Sequence, residues 1–118
     1  ETLISPLKFS NGSIGIIAYY SNGAKSLSKE YIEIHSSGQS AIIDDFKKIT
    51  IHSKSKVTNK KLLNQNKGQK EMVKSFIKSI NNTGESIIPF EDIVNVTETT
   101  FKILDSIKNS GEKISIDH

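Results

Sequence analysis

The sequence predicts an α+β domain, an antiparallel-dominated open sheet of about five to six strands with two C-terminal helices on one face. Three observations point there. Short segments between Leu3 and Leu63 alternate apolar and polar residues with the two-residue period of strands. Asn11-Gly12, Asn22-Gly23 and Ser37-Gly38 punctuate them as turn signals. Beyond Gly68 the apolar spacing lengthens to that of a helix and keeps it as far as Gly111.

Leu3–Phe9 and Ser13–Tyr20 flank Asn11-Gly12, a pair suited to the two positive-φ positions of a type I′ hairpin turn. In the second strand Ile14, Ile16 and Ala18 share one face, while Ile17 and Tyr19 share the other. Ala24–Lys29 is a polar connection. In Tyr31–Ser36, Ile32 and Ile34 point one way; Tyr31, Glu33 and His35 point the other. Ser40–Asp44 puts Ala41 and Ile43 on one face. Lys47–His52 turns Ile49 and Ile51 inward and Lys48, Thr50 and His52 outward. Lys54–Leu63 reads as a ragged edge strand, protected by lysine.

Met72, Val73, Phe76, Ile77 and Ile80 form one stripe of a first helix, which stops at Asn81–Gly84. The second helix starts near Phe90, with Glu91 and Asp92 offsetting the exposed N–H groups of its first turn. Ile93, Val96 or Thr97, Thr100, Phe101, Leu104 and Ile107 are its expected buried stripe. Lys108 and then Asn109-Ser110-Gly111 end it. The tail Lys113–His118 offers Ile114 and Ile116 to one more edge strand. Two helices cannot cover both faces of such a sheet. The second face, carrying Ile17, Tyr19 and Tyr31, is expected to meet another surface, a second copy or a further domain.

The 118 residues suffice for a single domain, residues 1–118, with a modest core. The chain has no cysteine, which excludes disulfides and thiolate metal sites and fits a cytoplasmic protein. No apolar run is long enough to span a bilayer, and no signal peptide is recognisable, so no membrane partner is expected. The chain lacks an initiator Met, which reads as processing or excision from something longer. All 16 basic residues are lysine, the net charge is only +3, and acids alternate with the lysines. That footprint argues against nucleic acid, whose readers rely on arginine.

Few residues point to chemistry. Asp44 and Asp45 are adjacent in an extended segment, so they point apart and do not form an acid/base pair. His35 and His52 have no convergent ligands, and no metal site is expected. Lys67-Gly68-Gln69 offers a lone glycine ahead of a helix, short of a phosphate loop. Lys25, Lys29 and Glu30, clustered in the connection between strands, are the candidate substrate contacts: a lysine there would hold a carboxylate or phosphate as a point charge. No catalytic, cofactor-binding or metal-binding residue is assigned.

Several segments, in order, resemble the distal C-terminal domain of the glucose–fructose oxidoreductase / inositol dehydrogenase / MocA family. They are Phe9–Gly15, Lys25–Glu30 leading into Tyr31–Ile34, Asp44–Lys48, Asn66–Glu71 and Ile88–Asp92. The pattern is most similar to members from bacterial surface-polysaccharide gene clusters and covers about Leu3 to Gly111. The resemblance implies a parent enzyme with an N-terminal Rossmann domain that binds NAD or NADP. Its C-terminal domain would shape a sugar or polyol site and form homo-oligomers through the sheet face. This stretch contains neither the glycine-rich fingerprint nor the family's Glu-Lys-Pro segment, nor its Asp and His one helical turn apart. Ser28 stands where relatives often have proline, and Gln69 where they often have histidine. The resemblance therefore implies a fragment that binds no cofactor and is inactive alone, its partner being the missing Rossmann domain. The alternative is a stand-alone α+β interaction module with no catalytic role.

Overall fold

A computed structural model describes residues 2–82, 84 and 86–116. The elements run β1 (Thr2–Lys8), β2 (Ile14–Tyr20), β3 (Tyr31–Ser36), β4 (Gln39–Asp44), β5 (Lys48–Ser53), β6 (Lys56–Lys61), α1 (Gln69–Asn82) and α2 (Phe90–Lys108). The fold is α+β. Its six strands divide between a β1–β2 sheet and an antiparallel β3–β4–β5–β6 sheet, in place of one continuous sheet. The chain forms two compact units. One holds Tyr20–Lys70 together with Thr2; the other holds Leu3–Tyr19 and the chain from Glu71 onward.

In the first unit every strand pairs with its neighbour in sequence, and the register fixes the faces. Ile32, Ile43, Ile49 and Lys60 form one cross-strand row, and Ile34, Ala41, Ile51 and Thr58 the row two residues away on the same face. That face therefore gathers the six apolar residues Ile32, Ile34, Ala41, Ile43, Ile49 and Ile51, as the alternation requires. The opposite face carries Tyr31, Glu33, His35, Ser40, Ile42, Asp44, Lys48, Thr50 and His52.

The turns are short. Ser36 pairs with Gln39 across Ser37 (φ 50) and Gly38 (φ 73), both left-handed as a type I′ turn demands. Asp45 (φ 52) and Phe46 (φ 49) repeat that geometry, and Lys47 N donates to Asp44 O at 2.9 Å. Lys54 (φ 41) begins the β5–β6 turn. The two edges differ: β6 presents Lys56, Lys60 and Lys61, while β3 has no lysine.

In the second unit, the β1–β2 turn departs from the expected I′ form. Gly12 (φ 86) is left-handed and Asn11 is not. Gly12 N donates to Phe9 O at 3.0 Å and Phe9 N to Ser13 O at 2.9 Å, a type I turn followed by a glycine bulge. The Asn11 side chain favours this form by accepting from Ser13 N at 2.9 Å.

Both helices begin and end where their sequence signals lie. Gly84 (φ 67) terminates α1, its N–H reaching Ser79 O at 2.7 Å. Pro89 precedes α2, and Asn109, Ser110 (φ 59) and Gly111 (φ 85) close it. The expected burial of the α2 stripe is not observed. Ile93, Val96, Phe101, Leu104 and Ile107 are exposed, and the half-buried positions are Asn95, Glu98, Thr99, Lys102, Ile103 and Ser106. The apolar α1 stripe, Met72 to Ile80, is exposed as well. Ile114 and Ile116 are half-buried, but residues 112–116 form no strand; Asp117 and His118, the rest of that expected edge strand, lie outside the described residues.

No described residue is fully buried. On the apolar sheet face Ala41, Ile43, Ile49 and Ile51 are half-buried, while Ile32 and Ile34 remain 38% and 52% exposed. A sheet face of this composition needs a second layer to be stable.

Candidate functional site

The residues that converge lie at one end of the four-stranded sheet. Antiparallel pairing returns the chain after β6 to the end where β3 begins and where β4 turns into β5. Leu62 N donates to Lys47 O at 2.8 Å, carrying the β5–β6 ladder past the last strand residue. Asn66 N donates to Phe46 O at 3.0 Å, and Asp45 N to Glu30 O at 2.7 Å. Three separate stretches are thus fastened by backbone: the entry to β3, the β4–β5 turn and the segment leading to α1.

Side chains complete the cluster. The Gln65 amide donates to Asp45 Oδ1 at 2.8 Å and to Glu30 Oε2 at 3.4 Å, bridging two carboxylates that would otherwise repel. The Lys67 ammonium donates to Glu30 Oε1 and lies 6.0 Å from the centre of the Phe46 ring, at the outer range of a cation–π contact. The hydrogen bond from Lys67 holds the Glu30 carboxyl below its ordinary value. Partial burial opposes this, and the charges of Lys67 and Lys29 add to it. Asn66 Oδ1 accepts from Gly68 N at 2.9 Å, and Gly68 (φ 80) turns the chain into α1. Chemically this is a tether: a carboxylate kept ionised and already occupied by an ammonium accepts hydrogen bonds but is no proton donor.

Of the three candidate substrate contacts, the structure brings only Glu30 into the cluster. Lys29 is exposed and acts on Glu30 through its charge alone. Lys25 is exposed and makes no hydrogen bond or ion pair among the described residues. Asp45, Gln65 and Lys67 were not legible as partners of Glu30. Their only sequence signal is that a meander of short turns returns residues near position 65 to the strand end where position 30 lies. Asp44 and Asp45 do not converge, since Asp44 sits in β4 and Asp45 in the left-handed turn. Lys67, the residue ahead of the lone helix-opening glycine, is engaged with Glu30.

His35 and His52 lie in one cross-strand row with Ser40 between them, two strands apart. His35 Nδ1 contacts Ser40 Oγ at 2.8 Å, and its Nε2 lies 3.4 Å from Glu33 Oε1. No group of side chains able to hold a metal occurs among the described residues. Two open, shallow grooves mark the far end of the sheet, one beside His52 and Val57, the other beside Ile34 and Ile51. Ile17 and Tyr19 belong to the β1–β2 sheet and Tyr31 to the other, so the three do not share one sheet face; all are exposed. Among the described residues no helix is long and apolar enough to cross a membrane. Both sheets are antiparallel, and no strand–glycine-rich turn–helix unit is present among these residues. No family model, curated protein or solved structure matches the chain.

Proposed function

We propose that this chain is the distal part of the C-terminal domain of an NAD(P)-dependent sugar or polyol oxidoreductase, of the glucose–fructose oxidoreductase / inositol dehydrogenase / MocA kind. Its role there is to shape the substrate side of the enzyme and to support assembly through its sheet, in the cytoplasm. The observation that carries this reading is the apolar face of β3–β5, six side chains in register of which none is buried. Such a face calls for a second layer, which on this reading the rest of the enzyme supplies. The ordered family-like segments support an oxidoreductase of this kind as that enzyme. The Glu30 tether supports the same reading, because it fixes Glu30, the last residue of the polar connection, at the sheet end where a sugar hydroxyl or carboxylate would be met.

The hydride-transfer groups and the cofactor belong to the Rossmann half, so the 118-residue chain alone has no dehydrogenase activity and no tight NADH binding. The test is to read the DNA upstream of the Glu1 codon and to assay the purified chain with NAD, NADP and a panel of sugars. An in-frame strand–glycine-rich turn–helix unit followed by Glu-Lys-Pro, with an inert fragment, is the expected result. Turnover by the fragment overturns the proposal. The same uncovered face favours a second reading, a stand-alone interaction module; a start codon immediately upstream of Glu1 selects it.

A further inference from the structure

The chain contains two Asn-Gly pairs in almost the same local sequence, Ser10-Asn11-Gly12-Ser13 and Ser21-Asn22-Gly23-Ala24. Asn-Gly is the dipeptide most prone to intramolecular deamidation, because glycine has no Cβ to crowd its own nitrogen as that nitrogen attacks the asparagine side chain. The sequence alone ranks the two sites as equals. The fold does not.

At Asn11 both reacting groups are held. The nucleophile, Gly12 N, donates its proton to Phe9 O at 3.0 Å. The electrophile's amide oxygen, Asn11 Oδ1, accepts from Ser13 N at 2.9 Å, and Gly12 is fixed at φ 86. At Asn22 neither group is held. Gly23 N and the Asn22 side chain have no hydrogen bond among the described residues, Gly23 is not left-handed, and nothing lies within 4 Å of where its Cβ would be. Both residues are exposed in the connection between β2 and β3.

We infer that Asn22 is a site of spontaneous covalent modification in the folded protein, becoming aspartyl and isoaspartyl, while Asn11 is protected. The Gly23 backbone nitrogen gives up its proton to solvent base and attacks Asn22 Cγ. The N–Cγ bond forms, the Cγ–Nδ2 bond breaks, and Nδ2 takes up a proton and leaves as ammonia. Water then opens the resulting succinimide at either carbonyl. The net change is one water consumed and one ammonia released, with no oxidant or reductant. It places a new carboxylate three residues before Lys25. The isoaspartyl product also inserts a backbone methylene and is a substrate for an isoaspartyl carboxyl methyltransferase using S-adenosylmethionine.

The two sites can be read side by side. Cleavage after lysine leaves both in one peptide, Phe9–Lys25. The 118-residue chain is aged in mildly alkaline buffer, with a parallel sample in strong urea, and the peptide is fragmented by mass spectrometry. Breaking the two hydrogen bonds at Asn11 slows it, so in native buffer Asn22 reacts roughly tenfold faster or more. In urea the two rates converge. Labelling by an isoaspartyl methyltransferase follows the Asn22 product, and Gly23→Ala suppresses it. Equal rates in native buffer, a faster Asn11, or a difference that persists in urea each overturns the inference.

Discussion

Gly38 and Gly23 both sit in exposed connections of the four-stranded unit, yet substituting alanine moves stability in opposite directions at the two. Gly38 is the second left-handed residue of the β3–β4 turn, at φ 73, and nothing lies within 4 Å of an added Cβ. The effect of Gly38→Ala is therefore a backbone effect with no steric part. Holding an L-residue left-handed costs about 1–2 kcal/mol. Alanine also stiffens the unfolded chain, which returns about 0.4–1 kcal/mol. The net is a destabilisation of about 1 kcal/mol. Gly23 is equally open but not left-handed, so only the unfolded-chain contribution remains and Gly23→Ala stabilises by about 0.4–1 kcal/mol. The assay is equilibrium unfolding in urea followed by far-ultraviolet circular dichroism, since the chain has no tryptophan. An unchanged slope with a shifted midpoint marks a true stability change. Shifts of the same sign at both positions would refute the turn assignment, because only the sign of φ separates the two sites.

Other perturbations read other parts of the structure. Lys54→Gly relieves the left-handed Lys54 at φ 41 and raises the urea midpoint, by about 0.5 kcal/mol in stability, as the strain removed slightly exceeds the added chain entropy. Ile51→Ala, at a half-buried position on the apolar face, costs about 1 kcal/mol in the isolated chain. In an assembly that covers this face the same change costs about 2–5 kcal/mol, and equal costs in both settings would show the face is never covered. Lys67→Ala removes the first cause of the lowered Glu30 value, so an NMR titration finds the Glu30 carboxyl returned toward its ordinary range. The sign follows: a lowered folded value contributes stability above the ordinary carboxylate range and loses it as pH falls through the lowered value. Native protein is expected to show this acid-side loss at Glu30, and Lys67→Ala reduces it, with Asp45 and Lys29 still lowering the value.

What the sequence disclosed and what it hid have separate physical origins. Strand faces were legible because a period of two leaves no freedom: once Ile32, Ile43 and Ile49 are assigned inward, the register must align them. Helix ends were legible because the signals at Gly84, Pro89 and Gly111 act within one turn of themselves. The β1–β2 turn was misread because Asn-Gly serves two turn types, and the choice rests on whether the Asn11 side chain captures Ser13 N. The α2 stripe is the reverse case: Phe101 and Leu104 have the right spacing for burial, but spacing states only a demand for a partner. The Glu30 cluster was half legible. Glu30 stood out beside Lys25 and Lys29, while its real partner lies 37 residues away and becomes a neighbour only after four strands have folded back.

That separation bears on how the unit forms. Every strand pair in β3–β6 joins sequence neighbours through tight turns, so each hairpin closes on its own, on a timescale of about 1–10 μs. Low contact order of this kind favours rapid folding, and each strand can zip onto the last as it leaves the ribosome. The link from Lys67 to Glu30 is different. It cannot form until β6 is in place, so it acts as a latch that registers completion of the meander.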